Sequence, residues 1–143
     1  GYAATAFNDL FDESRSIDGR LDRFLYYAEE LLRIYRSSDP DARLSAHFQD
    51  WPVISLYLSG MYPDMYTLYP GREIFNDYLE RLQARPTQVD DLERFFKVMR
   101  TTAGFLNKDP GLVEASEPRP PGHLLLAHEF VYFLTDRWLE RSP

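Results

Sequence analysis

Apolar side chains recur at intervals of three and four residues between positions 21 and 35, and no other sequence feature limits the possible folds as strongly. On an α-helix this spacing places the side chains along one face, where they can pack against the rest of the protein. Ser16 or Asp18 precedes the stretch and can cap a helix by accepting a hydrogen bond from an unpaired backbone amide. The pattern predicts a long amphipathic helix with a buried face of Leu21, Phe24, Leu25, Ala28, Leu31, Leu32 and Tyr35.

Similar patterns elsewhere indicate that the chain consists of helices. The aromatic stretch 62–69 has prolines near both ends and is predicted to be an extended connection, whereas 107–122 is predicted to be a long polar loop. The sequence therefore predicts an all-α fold, a single compact domain of about six helices covering 1–143. A short amphipathic stretch at 3–13 precedes helices that are predicted at 21–35, 41–49, 53–61, 74–82, 89–106 and 123–141.

Some of these helices carry side chains that are predicted to face the core. The helix at 53–61 is apolar on nearly every side, so we expect it to be central and buried. In the other helices the same spacing assigns inward positions to Leu44, Phe48, Leu82, Val89 and Trp138, among others.

Length and composition bound the class of protein. A chain of 143 residues suits one domain with its own core. The lack of cysteine excludes disulfides, thiolate nucleophiles and cysteine-based metal sites. No apolar run approaches the roughly 20 residues that span a bilayer, and the first residues lack the layout of a signal peptide. We therefore expect a cytoplasmic protein without membrane contact. A net charge of −7 disfavours a large phosphate-binding surface.

No residue pattern typical of catalysis or cofactor binding is present in the sequence, which lacks a phosphate-binding loop and an HExxH pair. His123 and His128 lie five positions apart, about 140° around a helix, so they cannot easily share a metal ion. We expect His123 to cap the last helix and His128 to be half-buried. The adjacent Asp90 and Asp91 fit the first turn of a helix, where negative charge is favourable. We therefore expect no catalytic, cofactor-binding or metal-binding residues, and a chain that is not itself an enzyme.

Arginine supplies all but two of the 16 cationic residues. Groups of arginines near the predicted helix ends fit two interpretations. They can form an edge that contacts phosphate, or they can belong to a solvated surface of mixed charge, because acidic residues are interleaved with them throughout. The arginines in question are Arg15, Arg20, Arg23, Arg33, Arg36 and Arg43.

Large aromatic side chains are concentrated in one third of the chain and form the candidate ligand or partner surface. Six rings can line a pocket for a flat ligand such as a flipped base. They can equally be core residues whose hydroxyls bond to the backbone. The candidate residues are Trp51, Tyr57, Tyr62, Tyr66, Tyr69, Arg72 and Tyr78.

The stretch VISLYLSGMYPDMYTLY at 53–69 resembles a segment that precedes the motor in McrB-like AAA+ restriction NTPases, where a buried helix enters a similar aromatic turn. The opening LFDE at 10–13 with the helix that follows it, and HLLLAHEFVYF at 123–133, are similar to other parts of the same region. Met65 and Pro70 stand where that family tends to have lysine, which weakens any inference of phosphate contact.

The resemblance implies that the chain is the N-terminal module of a longer defence protein of the modification-dependent restriction type. Its partners would be a downstream AAA+ motor, driven by GTP or ATP, and a separate McrC-like nuclease. The module would be non-catalytic and would recognise the target DNA or link a recogniser to the motor. Direct DNA contact is possible but is disfavoured by the acidic charge. The alternative is a stand-alone helical adaptor for protein–protein interaction.

Overall fold

In a computed structural model of the protein, which describes residues 1–39, 41–116, 123–135 and 137, these residues form seven α-helices and no strand. The predicted all-α fold is therefore confirmed. The helices are α1 (Tyr2–Leu10), α2 (Ile17–Ser38), α3 (Trp51–Met61), α4 (Arg72–Arg81), α5 (Leu92–Leu106), α6 (Pro110–Ala115) and α7 (Leu125–Leu134).

Helix α2 is the long amphipathic helix that the sequence predicts. Ser16 is its cap, and the hydroxyl of that serine accepts a hydrogen bond from the backbone amide of Gly19 at 3.4 Å. The helix packs against α1 and α5 through a buried face that includes Leu21, Phe24 and Leu32. Leu31 and Tyr35, which were also predicted to be buried, are instead 38% and 41% exposed. Burial of this face rather than intrinsic helix propensity supplies most of the stabilisation of such a helix.

Helix α5 lies at the centre of the core and packs against α2 and α7. Asp91 caps it by accepting a hydrogen bond from the amide of Arg94 at 2.9 Å. Its side chains Phe95, Phe96 and Met99 are excluded from solvent. The ring centroids of Phe95 and Phe96 lie 5.5 Å apart, and both rings contact tyrosines of the connection between α3 and α4. This aromatic layer joins the two halves of the chain.

Residues 62–71 form the irregular connection that the sequence predicts. The buried hydroxyl of Ser55 in α3 holds its far end by accepting a hydrogen bond from the amide of Tyr69 at 2.8 Å. At the near end, the carbonyl of Pro63 accepts one from the amide of Leu124 at 3.0 Å. The connection is thus tied to both α3 and the start of α7.

The helix predicted at 41–49 is wrong, because these residues are irregular. Leu44 and Phe48, which were expected to face inward, are 42% and 66% exposed. The guanidinium of Arg36 donates hydrogen bonds to the carbonyls of Leu44 and Ser45, which replace helical hydrogen bonds. A stretch of this length has little helix stability without a packed face.

The prediction of an uninterrupted loop at 107–122 is also wrong, since α6 lies within it. The carboxylate of Asp109 accepts hydrogen bonds from the amides of Gly111 and Leu112, at 2.9 and 3.2 Å. Pro110 occupies the first turn, where its missing amide hydrogen costs nothing. The remainder of that predicted loop, 117–122, lies outside the described residues.

Several apolar side chains that were predicted to be buried lie at the surface. Helix α3 is not buried on every side, because Leu56 and Met61 are about half exposed. Leu82 and Val89 flank α4 and α5 and are also exposed. Trp138 and most of the predicted C-terminal end of the last helix lie outside the described residues. The spacing of apolar residues indicates that a helix has an apolar face, but it does not show which parts of that face other helices cover.

Among the helices that the structure describes, none is both long enough and apolar enough to cross a membrane.

Candidate functional site

The predicted aromatic set does not converge on one pocket. Tyr78 is fully buried between α4 and α5, and its hydroxyl lies 2.7 Å from that of Thr102. Tyr66 and Tyr69 are also buried, in contact with the rings of Phe96 and Phe95. Burial is the main cause that raises the pKa of each of these three tyrosines. Their rings therefore belong to the core.

Tyr62 and Tyr66 lie next to a buried arginine that the sequence does not reveal. Arg20 is 2% exposed, and its Nε donates a hydrogen bond to the carbonyl of Leu10 at 2.8 Å. Its Nη1 donates to the hydroxyl of Tyr66 at 2.9 Å, and its Nη2 lies 2.6 Å from a carboxylate oxygen of Glu13. The Tyr62 hydroxyl donates to the carbonyl of Phe11 at 2.8 Å. Arg20 therefore belongs neither to an edge that contacts phosphate nor to a solvated surface of mixed charge, which were the two interpretations of the arginines.

Tyr57 lies elsewhere, in an apolar groove of about 310 Å³ between α1, α2 and the irregular segment 41–50. Its ring contacts Phe7 edge-on, with ring centroids 5.1 Å apart, and Phe24 at 6.0 Å. The groove is lined almost entirely by carbon.

Trp51 lines a different surface, which we call the acidic cleft. This cleft has a volume of about 480 Å³ and lies between the N-terminal ends of α2, α3 and α5. Trp51 is half-buried, and Val89 beside it is 66% exposed. The lining consists of four apolar residues, Leu21, Trp51, Val89 and Leu92, and five carboxylates, Asp18, Asp22, Asp90, Asp91 and Glu93.

Hydrogen bonds and helix ends hold the carboxylates of the acidic cleft in place. Asp90 accepts a hydrogen bond from the hydroxyl of Tyr69 at 2.7 Å, and Asp91 caps α5. Asp18 and Glu93 lie in the first turns of α2 and α5, where the helix dipole favours negative charge. Hydrogen bonding to Asp90 also contributes, after burial, to the raised pKa of Tyr69.

The acidic cleft has no paired cation among the residues that the structure describes. None of its five carboxylates takes part in an ion pair within the described part of the chain. The guanidinium of Arg72, the one cation among the predicted site residues, instead donates to the carbonyl of Gln88. The predicted set is thus divided, with Trp51, Tyr69 and Arg72 near the acidic cleft and the others at three separate places.

Most other arginines also bind groups of the chain itself. The guanidinium groups of Arg36, Arg72, Arg94 and Arg100 donate to backbone carbonyls. Those of Arg15, Arg23, Arg33 and Arg137 contact carboxylates. Arg43 is exposed. Among the described residues, the carboxylates of the acidic cleft are therefore more available to pair with a partner than most of the arginines are.

The histidines do not form a site. His128 is 4% exposed rather than half-buried, and its ring contacts that of Tyr132. His123 does not cap the last helix, since Leu124 occupies the cap position. Within the described residues, no group of three or more histidines, aspartates or glutamates is placed to hold a metal ion.

Sequence reasoning missed the acidic cleft, although one of its signals was available. Asp18 and Asp22 are four residues apart and so share a face of α2. What could not be read from the sequence is that this face lies beside the start of α5.

In comparisons with known proteins, no family model matches the chain, and neither a curated protein nor a solved structure matches it significantly.

Proposed function

We propose that the chain is a non-catalytic helical binding module, the N-terminal module of a McrB-like restriction NTPase, and that it binds a protein partner rather than DNA. The supporting observation is how its charges are distributed. Most arginine side chains in the described part of the chain bind its own carbonyls and carboxylates, whereas the carboxylates of the acidic cleft have no cationic partner there.

Phosphate binding requires free cations, because affinity for nucleic acid comes largely from the release of counterions by lysine and arginine. The buried Arg20 would have to break its bonds to Leu10 and Tyr66 before it contacted a phosphate. The acidic cleft would repel the phosphates of a duplex that lay across it. A partner that carries positive charge suits this surface better.

The aromatic residues count against a pocket for a flipped base. The hydroxyls of Tyr62, Tyr66, Tyr69 and Tyr78 form intramolecular hydrogen bonds. A base-binding pocket would instead need several rings to face one open cavity. Linking a recogniser to the motor is therefore the role that we favour among those implied by the resemblance.

Fluorescence polarisation with labelled duplex DNA, plain and base-modified, tests the preference for protein over DNA. We expect no salt-dependent binding to either duplex, since the net charge is −7 and most of the described arginines bind groups of the chain itself. Tight, salt-dependent binding to either duplex would show that the preference is wrong.

The reading frame beyond the codon for Pro143 tests the link to restriction. We expect it to encode an AAA+ module, and we expect this chain to co-purify with that motor or with its nuclease. If the reading frame contains no such module, the stand-alone adaptor becomes the better description, because an uncovered charged cleft suits an adaptor equally well.

A further inference from the structure

We propose that the acidic cleft binds a basic segment of a partner protein, in which an aliphatic side chain contacts Trp51 and Val89 while arginine or lysine side chains pair with the surrounding carboxylates. This inference rests on the proposed binding function and specifies the partner's chemistry. It depends on two features of the lining, the apolar side chains that include the exposed Val89 and the five carboxylates, which have no ion pair within the described residues.

The apolar side chains of the acidic cleft explain why the partner is expected to contribute an aliphatic side chain. Val89 is 66% exposed and lines the cleft together with the half-buried Trp51 and the buried Leu92. An aliphatic side chain that rests on this surface would remove carbon of both partners from water. A few well-packed apolar contacts at the centre of an interface commonly carry most of its affinity. The cleft volume of about 480 Å³ suits a short segment rather than a whole domain face.

The five carboxylates of the acidic cleft explain why the partner segment is expected to be basic. Asp18 and Asp22 come from α2, whereas Asp90, Asp91 and Glu93 come from the start of α5, so two elements bring negative charge to one place. These carboxylates have no ion pair within the described residues, so a partner's cations can pair with them. A second copy of this chain is a poor occupant, because each copy has a net charge of −7. A cation alone is also a poor occupant, since the described carboxylates are not grouped to hold a metal ion.

Fluorescence polarisation with a labelled arginine-rich peptide that has a central leucine tests the proposal. The same peptide with glutamate in place of arginine is the peptide control. We expect the basic peptide to bind and the acidic peptide not to bind. We also expect the affinity to fall as salt rises, because the contacts lie at the surface.

A pair of matched triple variants locates the binding site. The cleft variant combines Asp18→Asn, Asp22→Asn and Glu93→Gln, which avoids the Asp91 cap and the hydrogen-bonded Asp90. Its control combines Asp64→Asn, Glu80→Gln and Glu114→Gln, three exposed carboxylates outside the acidic cleft. Both triples change the net charge equally. We expect the cleft variant to bind the basic peptide about tenfold more weakly, whereas the control variant should change affinity less than about twofold.

A second pair of variants tests the apolar anchor. Val89→Ser removes exposed carbon from the acidic cleft, and Val113→Ser makes the same change in α6. We expect only Val89→Ser to weaken binding, and we expect the weakening to be smaller when the central leucine of the peptide is replaced by glycine. Circular dichroism verifies that each variant is folded.

Each outcome decides the proposal. The assignment of the acidic cleft would be overturned if the basic peptide did not bind the wild-type chain. It would also be overturned if both triple variants lowered the affinity for the peptide equally. Either result would leave co-purification with the motor unaffected, so the two proposals fail separately. Binding that requires the cleft carboxylates and Val89 supports the assignment whichever protein supplies the natural segment.

Discussion

Arg20 shows how a single charged side chain can join distant parts of a fold. Its guanidinium binds the carbonyl of Leu10, the last residue of α1, and so satisfies one of the carbonyls that a helix end leaves unpaired. The same group contacts Glu13 and the hydroxyl of Tyr66, which lies far along the chain. An arginine suits this position because its planar group offers several donors in fixed directions.

We predict that Arg20→Met lowers the free energy of unfolding by about 3 kcal/mol, because it leaves the Leu10 carbonyl and the Tyr66 hydroxyl without their charged donor. Methionine keeps most of the side-chain length, so the loss reflects mainly the hydrogen bonds. Urea denaturation measures the change. The matched control is Arg23→Met, whose side chain is 55% exposed and lies 3.5 Å from Asp9. A surface pair of this kind contributes less than about 1 kcal/mol.

The buried tyrosines predict how stability depends on alkaline pH. Burial raises the pKa of Tyr66, Tyr69 and Tyr78, and hydrogen bonds to Glu13 and Asp90 raise the first two further. The unfolded chain therefore loses these protons first, at a pH of about 10. Stability should be constant with respect to these groups below that pH and should fall as pH rises above it, since the folded state retains more protons.

Spectrophotometric titration at alkaline pH checks the prediction, because ionised tyrosine absorbs at longer wavelength. We expect the buried Tyr66, Tyr69 and Tyr78, whose pKa values burial raises, to ionise only as the protein unfolds. Tyr69→Phe should therefore reduce the number of tyrosines that ionise in this unfolding transition by one. Simultaneous ionisation of all tyrosines in the folded protein would contradict the assignment.

Among the elements, α4 ends in a way that its sequence does not favour. Gln83 follows the last turn with φ 56°, in the left-handed region that glycine normally occupies. Two hydrogen bonds close the motif, from the amide of Ala84 to the carbonyl of Leu79 at 2.8 Å and from the amide of Gln83 to the carbonyl of Glu80 at 2.9 Å. The closed geometry holds a glutamine in a conformation that costs about 1 kcal/mol.

We predict that Gln83→Gly raises the free energy of unfolding by about 0.5–1 kcal/mol, because glycine adopts positive φ without a steric penalty. The net gain is below the full strain because glycine also gives the unfolded chain more freedom. Thermal denaturation followed by circular dichroism measures it. Gln83→Ala is the control and should produce no gain, since alanine keeps the Cβ atom. Stabilisation by alanine equal to that by glycine would refute this account of the helix end.

For the whole molecule, the distribution of charge predicts how stability depends on salt. The net charge is −7, and the carboxylates of the acidic cleft lack cationic partners in the described residues. We expect the free energy of unfolding to rise by about 0.5 kcal/mol between low and moderate ionic strength, because salt screens this repulsion. Urea denaturation at several salt concentrations provides the measurement.

The triple variant of the acidic cleft, Asp18→Asn, Asp22→Asn and Glu93→Gln, should reduce that salt dependence more than the control triple does. The same net change at scattered positions relieves less repulsion, because widely spaced charges are already screened. An equal reduction by both variants would mean that net charge, rather than its concentration in the cleft, sets the response.

Much of the architecture could be predicted because helix signals are local. The spacing of Leu21 to Tyr35 acts within a few residues, so it indicates α2 without knowledge of any neighbour. Asp90 and Asp91 also indicated a helix start, but the prediction that they lie in the first turn is wrong, because α5 begins at Leu92 and Asp91 is its cap. The same local rules were wrong at 41–49, because Arg36 from another element binds the carbonyls that a helix would use. They also missed α6, although Asp109 followed by Pro110 is a start signal.

The candidate site followed the opposite pattern. Residue type alone identified Trp51 and the tyrosines as notable, but it could not tell a ring in the core from a ring on a cleft, because that depends on which helix covers it. Arg20 and Asp18 are two positions apart on α2, yet one is buried at the end of α1 and the other lines the acidic cleft. Helix class and helix start points thus depend on short-range hydrogen bonds and periodicity. Burial, pairing of charges and the acidic cleft depend on contacts between segments far apart in the chain, which local pattern does not encode.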